Sequence, residues 1–169
     1  MNIKEAIPER FSREIFTKII DWIDGKPERF DELMVVFFEG DSRKNQHAAN
    51  IMSDCIHRWP FLLTPYIEKM LLNLQQDNLH DAIKRNTVRV LQDIAIPEEL
   101  HGLAVDTCFK YLSNHDEAIA IRVFSMTILF NLSKLYPELK SELKFLIEEQ
   151  LPYQSPAFKN RANKILKAL

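Results

Sequence analysis

A chain of 169 residues, 46% of them hydrophobic, can bury a core without a metal or a disulfide to staple it. Its 22 basic and 24 acidic residues leave a net charge of −2, and neither half carries the marked basic excess of a phosphate-tracking surface, which disfavours nucleic acid as the partner. Three glycines in the whole chain exclude a glycine-rich phosphate loop, and no run approaches the ~20 apolar residues of a membrane span.

The opening Met1-Asn2-Ile3-Lys4-Glu5 has charges where a signal peptide needs an apolar run, so a cytoplasmic protein without a membrane segment is expected. Pro8 ahead of Phe11, Ile15, Ile19 and Trp22 predicts a leading helix over 8–24, closed by Gly25. Pro27 ahead of Phe30, Leu33 and Phe37 opens the next helix, over 27–39, which Gly40 stops before a partner over 42–58. Within it, Met34-Val35-Val36-Phe37-Phe38 could pass for a buried strand, but a lone strand would have nothing to pair with, so helix is expected. Pro65, Pro97 and Pro137 precede three more apolar helical patterns, predicting pairs at 64–75 with 80–95, 97–112 with 116–135, and 137–150 with 155–168. Cys55 and Cys108 fall inside such patterns and read as reduced, buried thiols, in keeping with a reducing compartment.

The second members of these pairs repeat. Segments beginning near Gln46, Arg85, Arg122 and Lys159 recur about every 38 residues and align in three apolar columns. The columns are Ala49/Val88/Ser125/Ala162, Met52/Leu91/Ile128/Ile165 and Ile56/Ala95/Leu132/Leu169. Steps of three and four place each set on one helical face, and their return at a fixed interval predicts stacked helical hairpins. The expected fold is all-α: one domain over 1–169, with a leading helix and four helix pairs stacked as a solenoid.

The third repeat carries the most specific pattern, with Asp116 ahead of Ile121-Arg122, then Ser125 at a small-residue position and Ile128 at an apolar one. In this the chain resembles the HEAT and armadillo class of helical repeat proteins. The resemblance implies paired A and B helices wound into a right-handed α-α superhelix, the B helices lining a concave side, and binding of a partner protein rather than catalysis. Repeats two and four keep a base at the arginine column, Arg85 and Lys159, whereas repeat one has Gln46.

Two His-Asp pairs raise a catalytic alternative. His80-Asp81 and His115-Asp116 both open B helices, and Asn78-Leu79-His80-Asp81-Ala82-Ile83-Lys84 resembles the metal-binding stretch of HD-domain phosphohydrolases. That chemistry requires further ligands, for which His47, His57 and Asp106 are the candidates, converging on one ion. Amino-terminal capping by Asp81 and Asp116 is the simpler expectation, since equivalent caps lie one repeat apart and do not converge. No metal or cofactor is therefore expected. A nucleic-acid or DNA-repair role, with Trp22 and Trp59 stacking on bases, is the other alternative, although tryptophans at helix ends more often pack on the next helix. Lys159, Arg161, Lys164 and Lys167 read as the solvated face of a terminal repeat.

The side of each B helix opposite the columns points to a binding surface. It reads His47, Asn50, Asp54 in repeat one, Asn86, Arg89, Asp93 in repeat two, Val123, Met126, Phe130 in repeat three and Asn160, Asn163, Lys167 in repeat four. Val123, Met126 and Phe130 interrupt an otherwise polar stripe. If exposed, they form an apolar patch for a partner protein, a peptide or a second copy of the chain; if α-helical repeat three is buried on all sides, they are core. In that case the binding residues are sought among Arg89, Asp93, Asn163 and Lys167.

Overall fold

The computed structural model describes residues 1–40 and 42–169, the Ser42 side chain excepted. Its described residues are helical hairpins joined by turns, without a strand. They divide into two compact units, 1–90 and 91–169.

Unit 1 begins with the short α1 (Ile3–Ala6) and α2 (Arg13–Ile23). The leading helix starts five residues later than Pro8 suggests, because Ser12 supplies the cap: its hydroxyl accepts the Ile15 N–H at 3.4 Å. Pro8 instead lies in the connection, its carbonyl 2.8 Å from His47 Nδ1. α2 ends through Asp24 and Gly25, both left-handed, and the Trp59 indole lies 2.9 Å from where a Gly25 Cβ would stand. Glycine satisfies both constraints there, and Trp59 has the packing role.

α3 (Pro27–Glu39), with proline at its first position, packs on α4 (Ser42–Arg58), and α2 packs on both. Met34, Val36 and Phe37 are buried within this helix, so the apolar run is helical as expected. Residues Pro60–Tyr66 form a 3₁₀ run that shortens α5 to Ile67–Asn73. Pro65 sits inside that run rather than at the start of an α-helix. α6 (Asp81–Leu91) closes the unit and stops short of residue 95.

Unit 2 pairs α7 (His101–Ser113), which follows a 3₁₀ turn at Glu98–Leu100, with α8 (Ile119–Ser133). α9 (Leu139–Gln150) and α10 (Pro156–Ala168) then pack on α8 and on each other. Ser155 caps α10 by accepting the Phe158 N–H at 3.4 Å, with Pro156 next at the first helical position.

The first two columns are the core. Ala49, Val88, Ser125 and Ala162 are fully buried, as are Met52, Leu91, Ile128 and Ile165 to within a few per cent. In the third column Ile56 and Leu132 are buried, but Ala95 is exposed because the chain has already left α6, and Leu169 is half-buried. Two helical turns of register survive in every repeat; the third depends on how long each helix runs.

Candidate functional site

The apolar patch expected in repeat three is core. Met126 is fully buried and Val123 is 8% exposed, while Phe130 is half-buried with the Lys134 ammonium 4.5 Å from its ring centre. α8 buries the successive residues Ile121, Arg122 and Val123, about 100° apart around its axis, and no residue from 120 to 133 is exposed, as expected of a helix apolar nearly all round. The buried alternative therefore holds for Val123 and Met126, whose exposure is corrected, while Phe130 keeps part of its ring at the surface.

The other nominated residues fall in both units. Asn163 and Lys167 are exposed on α10, and Asp93 is exposed in the turn after α6, all in unit 2. Arg89 is half-buried near the end of α6 in unit 1, where it meets residues that the stripe did not include.

That meeting place is a cleft of about 340 Å³ between α2, α4 and α6. α2 contributes Arg13 with Thr17 and Phe16 with Ile20, two pairs spaced by four so that each stands along one helical row. α4 contributes Asp54, His57 and Arg58 from its last turn, again three and four apart, and α6 contributes Arg89. Phe16 and Ile20 are almost wholly buried and give the cleft an apolar floor; the arginines stand on its walls.

Charge is distributed unevenly there. Arg58 Nη1 donates to Asp21 at 3.0 Å, across two exposed side chains. Arg13 Nη1 stands 3.8 Å from Asp54, too far for a charge-assisted hydrogen bond of about 2.8 Å. The Arg89 side chain makes no hydrogen bond or ion pair to another described residue. The His57 ring is oriented by Nδ1–H donating to the Ser53 carbonyl at 2.6 Å. Three guanidinium groups thus line the cleft with one carboxylate, Asp54, while Asp21 outside the lining takes Arg58, and the cation left over is Arg89. The arrangement suits recognition of an anion and lacks any nucleophile–base pair.

Signals for Arg13, Phe16 and Arg58 exist only in hindsight of the packing. Their spacing marks faces of α2 and α4, but the sequence does not say that α2 folds across α4 to make those faces meet.

The catalytic alternatives find different surroundings. His80 Nδ1 accepts the Ala82 N–H at 3.0 Å, and the His80 carbonyl accepts from Ile83 and Lys84, so His80 is the cap of α6 and Asp81 its first helical residue. Asp116 lies in the turn before α8, its own N–H held by Asn114 Oδ1 at 3.0 Å, and α8 starts after Ala118 without a side-chain cap. The capping bond at α6 thus belongs to His80, with Asp81 beside it in the first turn at the positive end of the helix, and Asp116 lies outside α8 altogether. Among the described residues no three of His, Cys, Asp and Glu stand close enough to share a metal ion. Burial pushes the Cys55 and Cys108 thiols up to about 12, which leaves them poor nucleophiles at neutral pH.

Arg122, the arginine of the specific motif, is nearly buried and does not form a ladder with Asp116. It donates to Gln150 and, at 3.4 Å, to Gln154, with its guanidinium 5.2 Å from the Phe158 ring centre. Burial lowers its pKa. Gln150 in turn donates to the Leu112 carbonyl at 3.0 Å, so one buried amide ties α7 to α9 and anchors the arginine. Glutamine has replaced the carboxylate as acceptor. His101 is likewise structural: Nε2 lies 2.7 Å from the Ile96 carbonyl and Nδ1 2.9 Å from the Tyr136 hydroxyl, which occupies both ring nitrogens.

No curated protein and no solved structure matches the chain at a significant level. The family model of the HEAT repeat domain matches residues 3–169, the span over which the helical hairpins and the buried columns recur. The chain belongs to the HEAT repeat domain family.

Proposed function

We propose that this protein is a non-catalytic interaction scaffold that binds a partner protein or peptide on the face formed by its B helices. HEAT repeats in general serve as protein-interaction scaffolds. The observation that carries the reading here is the cleft at Arg13, Asp54, Arg58 and Arg89, a concave, charged site built across α2 and two B helices. Buried, unreactive thiols and the structural engagement of His80 and His101 favour this reading over hydrolysis. The two free, buried cysteines suit a reducing compartment, and no described helix is long and apolar enough to cross a membrane.

Affinity capture from the native cell tests the proposal. A stoichiometric protein partner, competed by its own peptide, is expected; retention of nucleic acid alone, or turnover of a phosphate ester by the purified chain, would replace the scaffold with one of the other two functions.

A further inference from the structure

Resting on the scaffold reading, we infer that the unit 1 cleft receives an acidic side chain from the partner, a glutamate above all, seated against Arg89. Three observations converge on this occupant. Three guanidinium groups line the cleft against one carboxylate, Asp54, and with Arg58 paired to Asp21 outside the lining the unmatched one is Arg89, half-buried, where a cation is incompletely hydrated and gains most from a counter-charge. The Arg13–Asp54 pair is open at 3.8 Å, so Arg13 can turn its fork toward an incoming carboxylate without breaking a close bond. The floor is apolar, formed by Phe16 and Ile20, and matches the methylene stem of a glutamate whose head reaches the arginines.

Size and the type of cation select among anions. About 340 Å³ admits one or two side chains rather than a length of polyphosphate backbone. Arginine rather than lysine stands at all three cationic positions, and its planar fork fits a carboxylate in two parallel hydrogen bonds. Specificity then comes from geometry, with the partner's flanking residues lying along α2 and α4.

The test uses the full-length protein and a displayed library of short random peptides, with binding of recovered sequences measured by fluorescence anisotropy. Wild type is expected to enrich peptides that contain glutamate or aspartate, and Arg89→Gln to weaken them by about tenfold or more. Arg13→Gln, at a side chain that is 78% exposed and therefore safe for folding, should weaken them by a smaller factor. Replacing the peptide's acid by its amide should remove the sensitivity to Arg89→Gln. Enrichment of peptides without acids, or equal binding to wild type and Arg89→Gln, overturns the glutamate assignment and leaves the scaffold standing. Tighter binding of a phosphopeptide or a DNA oligonucleotide than of every acidic peptide overturns it in favour of phosphate. Recovery of no peptide, together with no protein in the affinity capture, overturns both the assignment and the scaffold.

Discussion

Asn86 of α6 donates from Nδ2 to Asn50 Oδ1 of α4 at 2.9 Å, and from the same nitrogen to the Ala82 carbonyl at 2.8 Å. The two asparagines stand at different places in the stripe of consecutive B helices, Asn50 four residues beyond Gln46 and Asn86 one beyond Arg85. A buried amide that both caps its own helix carbonyl and reaches the preceding repeat fixes the register of one B helix on the next, because no other sliding position satisfies both bonds. Asn86→Ala is expected to cost about 1–2 kcal/mol, and the double variant with Asn50→Ala to show a coupling of about 0.5–1.5 kcal/mol in urea denaturation. Strict additivity would mean that the bond contributes nothing to the repeat interface.

The aligned columns make a second expectation. Ile128 is 2% exposed, so Ile128→Ala should destabilise by about 2–5 kcal/mol through lost contacts and a residual cavity. Ser125 is fully buried in the small-residue column, and Ser125→Leu should cost about 1–3 kcal/mol by overpacking. Unchanged denaturation midpoints would show that the register of repeat three is misassigned.

Burial of Met126 reverses the outcome that an exposed patch would give. Met126→Glu places a carboxylate where no water reaches, and should unfold or severely destabilise unit 2, by more than about 4 kcal/mol. A circular dichroism melt checks this directly: a soluble variant with wild-type melting temperature would return Met126 to the surface.

The cap of α6 separates histidine from aspartate. His80→Ala should lose about 1 kcal/mol, whereas His80→Asn, which can accept the same N–H, should lose much less. Asp116→Ala, in an exposed turn outside α8, should change stability by less than about 0.5 kcal/mol. A larger effect at Asp116 than at His80 would contradict the observed cap assignment.

The thiols give a pH-dependent test. Both Cys55 and Cys108 are raised from about 9 to about 12 by burial, so the fold favours the neutral form. The stability they contribute is complete below about pH 9 and declines as pH rises toward 12, since the unfolded chain ionises first. Alkylation by iodoacetamide at pH 8 should be slow in the native protein and fast in denaturant; equal rates would mean that the thiols are accessible.

The sequence by itself determined the repeat and most of its helices. Ala49 and Met52, Val88 and Leu91, Ser125 and Ile128, and Ala162 and Ile165 each step by three, the spacing of one helical face, and their burial follows from that face being the one turned inward. Local chemistry also set ends such as Gly25 and Pro156, where one backbone geometry is required whatever the surroundings. Tertiary structure decided everything that depends on a second element. An apolar run such as Val123 to Phe130 has the same composition whether it faces water or another helix, so only the packing of α8 shows that Met126 is core. Likewise His80 and Asp81 are adjacent in sequence, and which one caps α6 depends on where the helix starts, a matter of one residue. The arginine cleft is the extreme case. Arg13, Asp54, Arg58 and Arg89 share no motif, and they become a site only because α2 folds across α4 and the repeat register brings α6 alongside. Side-chain spacing is a property of one helix, whereas a site is a property of the contacts among several, and those contacts are fixed by the burial of apolar surface far from the charges themselves.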